Sequence, residues 1–193
     1  MTNTVRIAIF GSGNGTNAQR ITEYFANKPE VEVTTFVTNK KDAYISQRAK
    51  NLGVPCVYFS RNDFYETDSV LNYLKECRID YVILAGFLWL VPQNLLTAFP
   101  RRIINIHPAL LPKFGGKGMY GERVHEAVIS AGETESGITI HFVDEHYDQG
   151  TTIFQATCQV SPTDTPETLA QKIHKLEYEH FPAVIEKVVL GRM

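Results

Sequence analysis

The chain has 193 residues and 44% hydrophobic side chains, a size and composition typical of one globular domain with a full-sized core. Its 19 basic and 21 acidic residues nearly cancel, so charge gives no reason to expect a nucleic acid or a membrane surface as partner. Three widely spaced cysteines (Cys56, Cys77 and Cys158) argue against a disulfide framework and predict buried thiols in a reducing compartment.

The first residues run straight into a strand without the pattern of a signal peptide, and no apolar run approaches the roughly 20 residues that span a bilayer. We therefore expect a cytoplasmic protein. The sequence leaves a monomer and a homodimer equally open. The partners that it favours are small-molecule substrates.

Strands and helices are predicted to alternate along the chain. Short apolar, β-branched runs predict strands at 5–10, 31–38, 54–59, 81–85, 103–107, 138–142 and 151–160. Helical spacing predicts helices at 18–26, 43–52, 62–77, 92–99 and 122–131, and a last one from Pro166 with Thr165 as N-cap. The order predicts a single α/β layer structure over 1–193, in which the last two strands are close enough to pair antiparallel.

A glycine-rich loop follows the first strand. Its spacing departs from the dinucleotide fingerprint, because Thr16 stands where the third glycine belongs and the second strand ends without an acidic residue. The loop also lacks the pattern that binds nucleoside triphosphates. The remaining interpretations are a monophosphate site formed by Gly13, Gly15, Thr16 and Asn17, or a tight structural turn.

The stretch RRIINIHPALLP, residues 101–112, carries polar side chains on a strand that should be apolar. Asn105 and His107 are two residues apart, so they present their side chains to the same face, just before Pro108 ends the strand. Open α/β sheets build their sites at such strand ends. We interpret the pair as functional, although both side chains could also satisfy a neighbouring loop.

Asp148 lies in a later acidic loop and could join this pair. An amide, an imidazole and a carboxylate are suited to acyl transfer without a covalent intermediate, since no nucleophilic serine or cysteine motif is present. Alternatively, Asp148 caps its loop. A metal site is a further possibility, but the candidate ligands have no recognised spacing and His141 should alternate with Phe142 across its strand: His107, His141, Asp144, His146 and Asp148.

Five motifs together resemble one known family, the phosphoribosylglycinamide formyltransferases. They are SGNGTN (12–17), LAGFLWLV (84–91), NIHPALLPK (105–113), GITIHFVDEHYDQG (137–150) and the E-x3-FP pattern of 177–182. The resemblance runs from about residue 7 to residue 191. It implies a single-domain, Rossmann-like formyltransferase fold: a mostly parallel, twisted sheet of about seven strands, with helices on both faces and an antiparallel C-terminal pair.

The resemblance also implies a reaction and its residues. The amine of 5-phosphoribosylglycinamide would attack the formyl carbon of 10-formyltetrahydrofolate, a cosubstrate, without a metal, in purine synthesis. The catalytic residues would be Asn105, His107 and Asp148. The phosphoribosylglycinamide would be held by Gly13, Gly15, Thr16, Asn17, Pro108 and Glu177. The folate would lie, largely on backbone groups, along Leu84, Phe87, Leu88, Trp89, Leu90, Val91, Val143, Asp144, His146 and Asp148.

On this resemblance, residues 1–100 would form the phosphosugar-binding half and 101–193 the catalytic and folate-binding half. The chain departs from the family in the longer segment FGGKGMYG (114–121), in Trp89 where an arginine is common, and in His174 at a position that varies. The alternatives are a formyltransferase acting on initiator tRNA, which adds a second domain and basic surface, a formyltetrahydrofolate hydrolase and a non-catalytic phosphosugar-binding protein.

Overall fold

The structure is a computed structural model that describes residues 4–192. Within this range seven strands form one sheet: β1 (Val5–Phe10), β2 (Val31–Thr38), β3 (Cys56–Tyr58), β4 (Tyr81–Leu84), β5 (Ile103–His107), β6 (Glu135–Phe142) and β7 (Thr152–Gln159). The helices are α1 (Thr16–Phe25), α2 (Ile45–Leu52), α3 (Arg61–Tyr65), α4 (Ser69–Glu76), α5 (Gln93–Ala98), α6 (Glu122–Ser130) and α7 (Pro166–Val189).

The strands are arranged in the order β3-β2-β1-β4-β5-β6-β7. Strands β1 to β5 are parallel to one another, whereas β6 is antiparallel to both β5 and β7. This confirms the predicted mostly parallel sheet with an antiparallel C-terminal pair. The strand order reverses beside β1, whose neighbours are β2 and β4, and such a reversal opens a crevice at the carboxyl ends of the strands.

Helices cover both faces of the sheet, as predicted. Alternate residues of β1 point to opposite faces, so Ile7 and Ile9 pack with α1, α2, α6 and α7, while Ala8 and Phe10 pack with α3, α4 and α5. Each large apolar side chain buried in these two cores contributes about 1.5–3 kcal/mol relative to an exposed one. The sheet is therefore a rigid platform for the loops at its edge.

The region predicted as one helix over 62–77 forms two helices instead. Ser60 caps α3 through a capping box with Asp63, and Thr67 then bonds back to the Asp63 carbonyl and to Ser69. These local side-chain bonds offer the backbone an alternative to a continuous helix. At the other end of the chain, Thr165 is the N-cap of α7, as predicted.

The three cysteines are free thiols, and they are half-buried rather than buried as predicted. Cys56 lies on β3 and Cys158 on β7, the two edge strands of the sheet, while Cys77 caps the end of α4. Side chains at these positions are covered on fewer sides than those of central strands. Over residues 4–192 no helix combines the length and apolar content that crossing a membrane requires.

Candidate active site

A cavity of about 630 Å³ opens at the carboxyl ends of β1, β4 and β5. The strand register brings these ends together, since Phe10 pairs with Leu84, Leu84 with Asn105, and Asn105 with His141 on β6. The glycine loop after β1, the segment after β4 and the polar end of β5 therefore meet at one place. Both chain halves, 1–100 and 101–193, contribute residues to its lining.

The structure brings together the three residues that were expected to act as a unit. Asn105 and His107 project from the same face of β5, and Asp148 reaches them from the loop between β6 and β7. The Asp148 Oδ1 atom lies 3.5 Å from Asn105 Nδ2, and its Oδ2 atom lies 3.5 Å from His107 Nδ1. All three side chains line the cavity.

Asp148 is held as a carboxylate by its surroundings. Burial raises the pKa of its carboxyl, but this effect is outweighed by His141, His107 and the Gly116 N–H, which together lower the pKa. The Gly116 N–H donates to Oδ2 at 2.9 Å. Asp148 also has a left-handed backbone with φ of 56°, a conformation that aspartate tolerates better than most residues.

His107 is held through its other ring nitrogen. Its Nε2–H donates to the carbonyl of Phe114 at 2.8 Å, so Nδ1 is the nitrogen that faces Asp148. Burial lowers the pKa of His107, while the Asp148 charge and the Phe114 carbonyl oppose this shift only in part. The imidazole is therefore neutral at neutral pH, next to a charged carboxylate.

His141 is a further member of this cluster, which the sequence analysis considered only as a candidate metal ligand. Its ring is buried, its Nδ1–H donates to the Phe142 carbonyl at 2.9 Å, and its Nε2 lies 3.0 Å from Asn105 Nδ2. The register of β6 against β5 explains the contact, because it places His141 directly opposite Asn105. Among the described residues, no group of three or more His, Cys, Asp or Glu side chains is arranged to hold a metal ion.

The glycine loop has its carbonyl groups turned towards α2. The Ile45 N–H donates to the Gly13 carbonyl at 3.1 Å, and Arg48 Nε donates to the Asn14 carbonyl at 2.8 Å. Within residues 4–192 the N–H groups of Gly13, Asn14 and Gly15 have no backbone acceptor. Gly15, with φ of 78°, then starts α1 without a side-chain cap. Free N–H groups at a helix N-terminus suit an anion such as phosphate.

Glu177 joins α7 to the first turn of α1, directly after this loop. Its Oε2 atom accepts from Asn17 Nδ2 at 3.0 Å and lies 3.0 Å from His174 Nδ1. The carboxylate of Glu177 raises the pKa of His174, with burial acting in the opposite direction. The residues expected to hold the phosphosugar all line the cavity: Gly13, Gly15, Thr16, Asn17, Pro108 and Glu177.

The residues expected to contact folate are divided in the structure. Phe87, Leu88 and Asp148 line the cavity. The others lie outside its lining: Leu84, Trp89, Leu90, Val91, Val143, Asp144 and His146. Among these, Leu84 and Val91 are buried in the core, and Trp89 packs on Phe64 and Tyr65 with ring centroids 5.4 and 5.8 Å apart.

One wall of the cavity comes from the glycine-rich segment 114–121, which the sequence analysis noted only as a departure from the family it resembles. Gly116 to Gly121 line the cavity, and the segment supplies the Phe114 carbonyl and the Gly116 N–H that hold His107 and Asp148. Further lining residues that sequence reasoning did not single out are Lys40, Arg123, His125 and Tyr147. Their positions depend on how loops and α6 pack against the sheet, which no local pattern encodes.

Comparison with known proteins gives consistent matches. The family model described as formyl transferase matches residues 5–185. The Arabidopsis thaliana protein named phosphoribosylglycinamide formyltransferase, chloroplastic, is 41% identical over 197 residues, covering 97% of this chain and 68% of that protein. The Haemophilus influenzae phosphoribosylglycinamide formyltransferase is 33% identical over 193 residues, covering 97% and 89%. The crystal structure of glycinamide ribonucleotide transformylase 1 from Symbiobacterium toebii superposes with a TM-score of 0.89 at 34% identity, covering 98% and 89%.

The fold, the group of polar residues at the strand ends and these matches define a one-carbon group transferase. The chain belongs to the formyl transferase family, and its resemblance to the phosphoribosylglycinamide formyltransferases within that family is confirmed. The predicted single-domain formyltransferase fold is confirmed with it.

Proposed function

We propose that the protein transfers the formyl group of 10-formyltetrahydrofolate to the amine of 5-phosphoribosylglycinamide, a step in purine synthesis. The observation that carries this proposal is the convergence of Asn105, His107 and Asp148 on a cavity that the open glycine loop also lines. The polar group suits carbonyl chemistry, and the loop suits a phosphate. The names of the relatives point to the same substrate.

The phosphate would be held by the loop N–H groups and by Thr16 and Asn17, and a ribose hydroxyl by Glu177. Glu177 already accepts from Asn17, so the carboxylate is fixed before substrate arrives. Pro108, directly after the catalytic strand, would form the floor beneath the glycinamide arm. Anchoring the anion in this way fixes the distance at which the amine meets the formyl carbon.

The reaction forms a bond between the amine nitrogen and the formyl carbon and breaks the bond from that carbon to the folate nitrogen. Asn105 Nδ2–H would stabilise the oxyanion of the tetrahedral intermediate. The proton leaving the amine would pass through a water held by Asp148 to His107 Nδ1. The protonated Nδ1 would then donate a hydrogen bond to the oxyanion. The proton ends on the departing folate nitrogen.

The pterin would enter beside the apolar side chains of Phe87 and Leu88, and Tyr147, next to Asp148 in the chain, also lines the cavity. Folate contacts through backbone groups stay predictions for the residues outside the lining of the cavity: Leu84, Trp89, Leu90, Val91, Val143, Asp144 and His146. The assignment of residues 1–100 to the phosphosugar and 101–193 to the chemistry and folate likewise stays a prediction. So do a cytoplasmic location, the absence of metal, nucleic acid and membrane partners, and a monomer or homodimer.

The test is an assay of the purified protein with 5-phosphoribosylglycinamide and 10-formyltetrahydrofolate, followed at the folate chromophore. We expect turnover that needs both substrates and that falls sharply when the acceptor lacks its phosphate. Release of formate without any acceptor would instead identify a hydrolase. Formylation of methionyl-tRNA, or binding of the phosphosugar without turnover, would contradict the proposal.

A further inference from the structure

His125 lies on α6 and has no role in the chemistry described so far. Its side chain belongs to the lining of the cavity, yet the residue is only 4% exposed. The Nδ1 atom is buried and has no hydrogen-bond partner among the described residues. The Nε2 atom also has no partner there but is not sealed from solvent, so it is the nitrogen that reaches the cavity.

The surroundings define the form of this imidazole. A buried N–H without an acceptor is costlier than an unused acceptor lone pair, so the proton belongs on Nε2 rather than on Nδ1. Burial lowers the pKa of His125, and the neighbouring His174 and His107 lower it further, whereas Glu177 opposes them. His125 therefore offers the cavity one uncharged N–H donor.

The position of His125 limits what this donor can meet. Its electrostatic neighbours are His174 and Glu177 on α7, beside the glycine loop, and His107 on β5, at the reaction centre. His125 thus lies near groups of the proposed phosphosugar site and near a group of the proposed reaction centre. In the proposed acceptor substrate, the amide carbonyl is the hydrogen-bond acceptor nearest to the attacking amine, separated from it by one methylene.

We propose that His125 is a substrate-binding residue whose Nε2–H donates a hydrogen bond to the amide carbonyl of the phosphoribosylglycinamide arm. The inference rests on the proposed function. An uncharged donor suits a neutral carbonyl oxygen, while the phosphate is served by the loop N–H groups. The bond would hold the arm so that its amine points towards Asn105, His107 and Asp148.

The test compares His125→Leu, which removes the donor, with His125→Gln, whose side-chain amide places an N–H near the former Nε2. We expect His125→Leu to raise the KM for 5-phosphoribosylglycinamide about tenfold, as for the loss of one hydrogen bond, and to leave the KM for the folate unchanged. The Gln variant should recover much of this loss. Glu126→Gln, an exposed change on the same helix, should alter neither KM.

A substrate analogue with a methylene in place of the amide carbonyl identifies the contact. The wild-type enzyme should bind the analogue about tenfold more weakly than the substrate, whereas His125→Leu should bind both alike. Equal changes in the two KM values, no effect of His125→Leu, or a Gln variant no better than Leu would overturn the inference while formyl transfer by the wild type still stands. A wild-type protein that transfers no formyl group would overturn both proposals.

Discussion

Asn105 Nδ2 and His141 Nε2 lie 3.0 Å apart, across the antiparallel pair of β5 and β6. Since His141 Nδ1–H is used by the Phe142 carbonyl, Nε2 is the acceptor and Asn105 must be the donor. This bond fixes which way the amide of Asn105 is turned and directs its second N–H towards the cavity and Asp148. The buried histidine thereby orients the residue that we propose to contact the oxyanion.

Replacing either Asn105 or Asp148 should reduce the rate of formyl transfer without unfolding the protein. We expect Asn105→Ala to lower kcat by about 10²–10³, as for the loss of one oxyanion donor, and Asp148→Asn to lower it at least about tenfold. Asparagine fits the left-handed backbone at position 148, so the second variant should keep its fold. Steady-state kinetics and thermal melting check both, with the exposed Glu145→Gln as control. Near-normal rates in both variants would refute the assignment.

His107 should titrate below the ordinary histidine value of about 6.5, because burial disfavours its charged form. Asp148 opposes this shift, so Asp148→Asn should move the midpoint lower still. A histidine NMR titration measures both midpoints, with the resonance assigned by its loss in His107→Asn. A midpoint at or above the ordinary value, or an upward move in the Asp148 variant, would contradict the geometry.

The same shift links His107 to stability. Its folded-state pKa is lower than its unfolded-state pKa, so the unfolded chain binds more protons in the interval between them. The stabilising contribution of neutral His107 is therefore complete above about pH 6.5 and is lost as pH falls through the folded-state pKa.

Two glycines of the loop, Gly13 and Gly15, allow tests of the proposed phosphate site. A Cβ at Gly13 would meet nothing within 4 Å, whereas a Cβ at Gly15 would lie 2.7–3.0 Å from Ile45, and Gly15 has positive φ. Gly13→Ala should raise the KM for the phosphorylated substrate roughly tenfold with an unchanged melting temperature. Gly15→Val should raise that KM and also destabilise the protein by about 1–3 kcal/mol. The folate KM should change in neither, and a parallel rise in it would argue against a phosphate site.

Arg48 should support phosphate binding from behind the loop. It donates to the Asn14 carbonyl and side chain and to Gln19, so it keeps the loop carbonyls away from the cavity. We expect Arg48→Met to raise the KM for the phosphorylated substrate roughly fivefold while kcat at saturation stays unchanged. Lys50→Met, on the exposed side of the same helix, should have no effect. A fall in kcat as large as the rise in KM would contradict this expectation and would show that the loop also positions the catalytic residues.

Much of the fold follows from local patterns in the sequence. The apolar runs of β1, β2, β4 and β5 predict buried strands because both faces of a parallel sheet are covered. The break between α3 and α4 was missed, since it depends on side-chain bonds of Thr67 and Asp63 rather than on hydrophobic spacing. The strand order cannot be obtained from these patterns, because each strand alone is compatible with several neighbours.

The candidate site was predictable where a residue type is unusual for the secondary structure around it. Asn105 and His107 interrupt an apolar strand, and the glycines of 11–15 interrupt the path from strand to helix. The contact of His141 with Asn105 was missed, and the sequence suggested only a metal-binding role for this histidine, because its register against β5 is not known from the sequence. His125 and Arg48 were missed for a similar reason: their importance depends on contacts to segments distant in the chain.

Two hydrogen bonds hold the segment 114–121 against the proposed catalytic residues. His107 donates one to the Phe114 carbonyl, and the Gly116 N–H donates the other to Asp148. An inhibitor therefore need not imitate either substrate. A small molecule that wedges beneath this segment and separates it from the sheet would release both side chains at once.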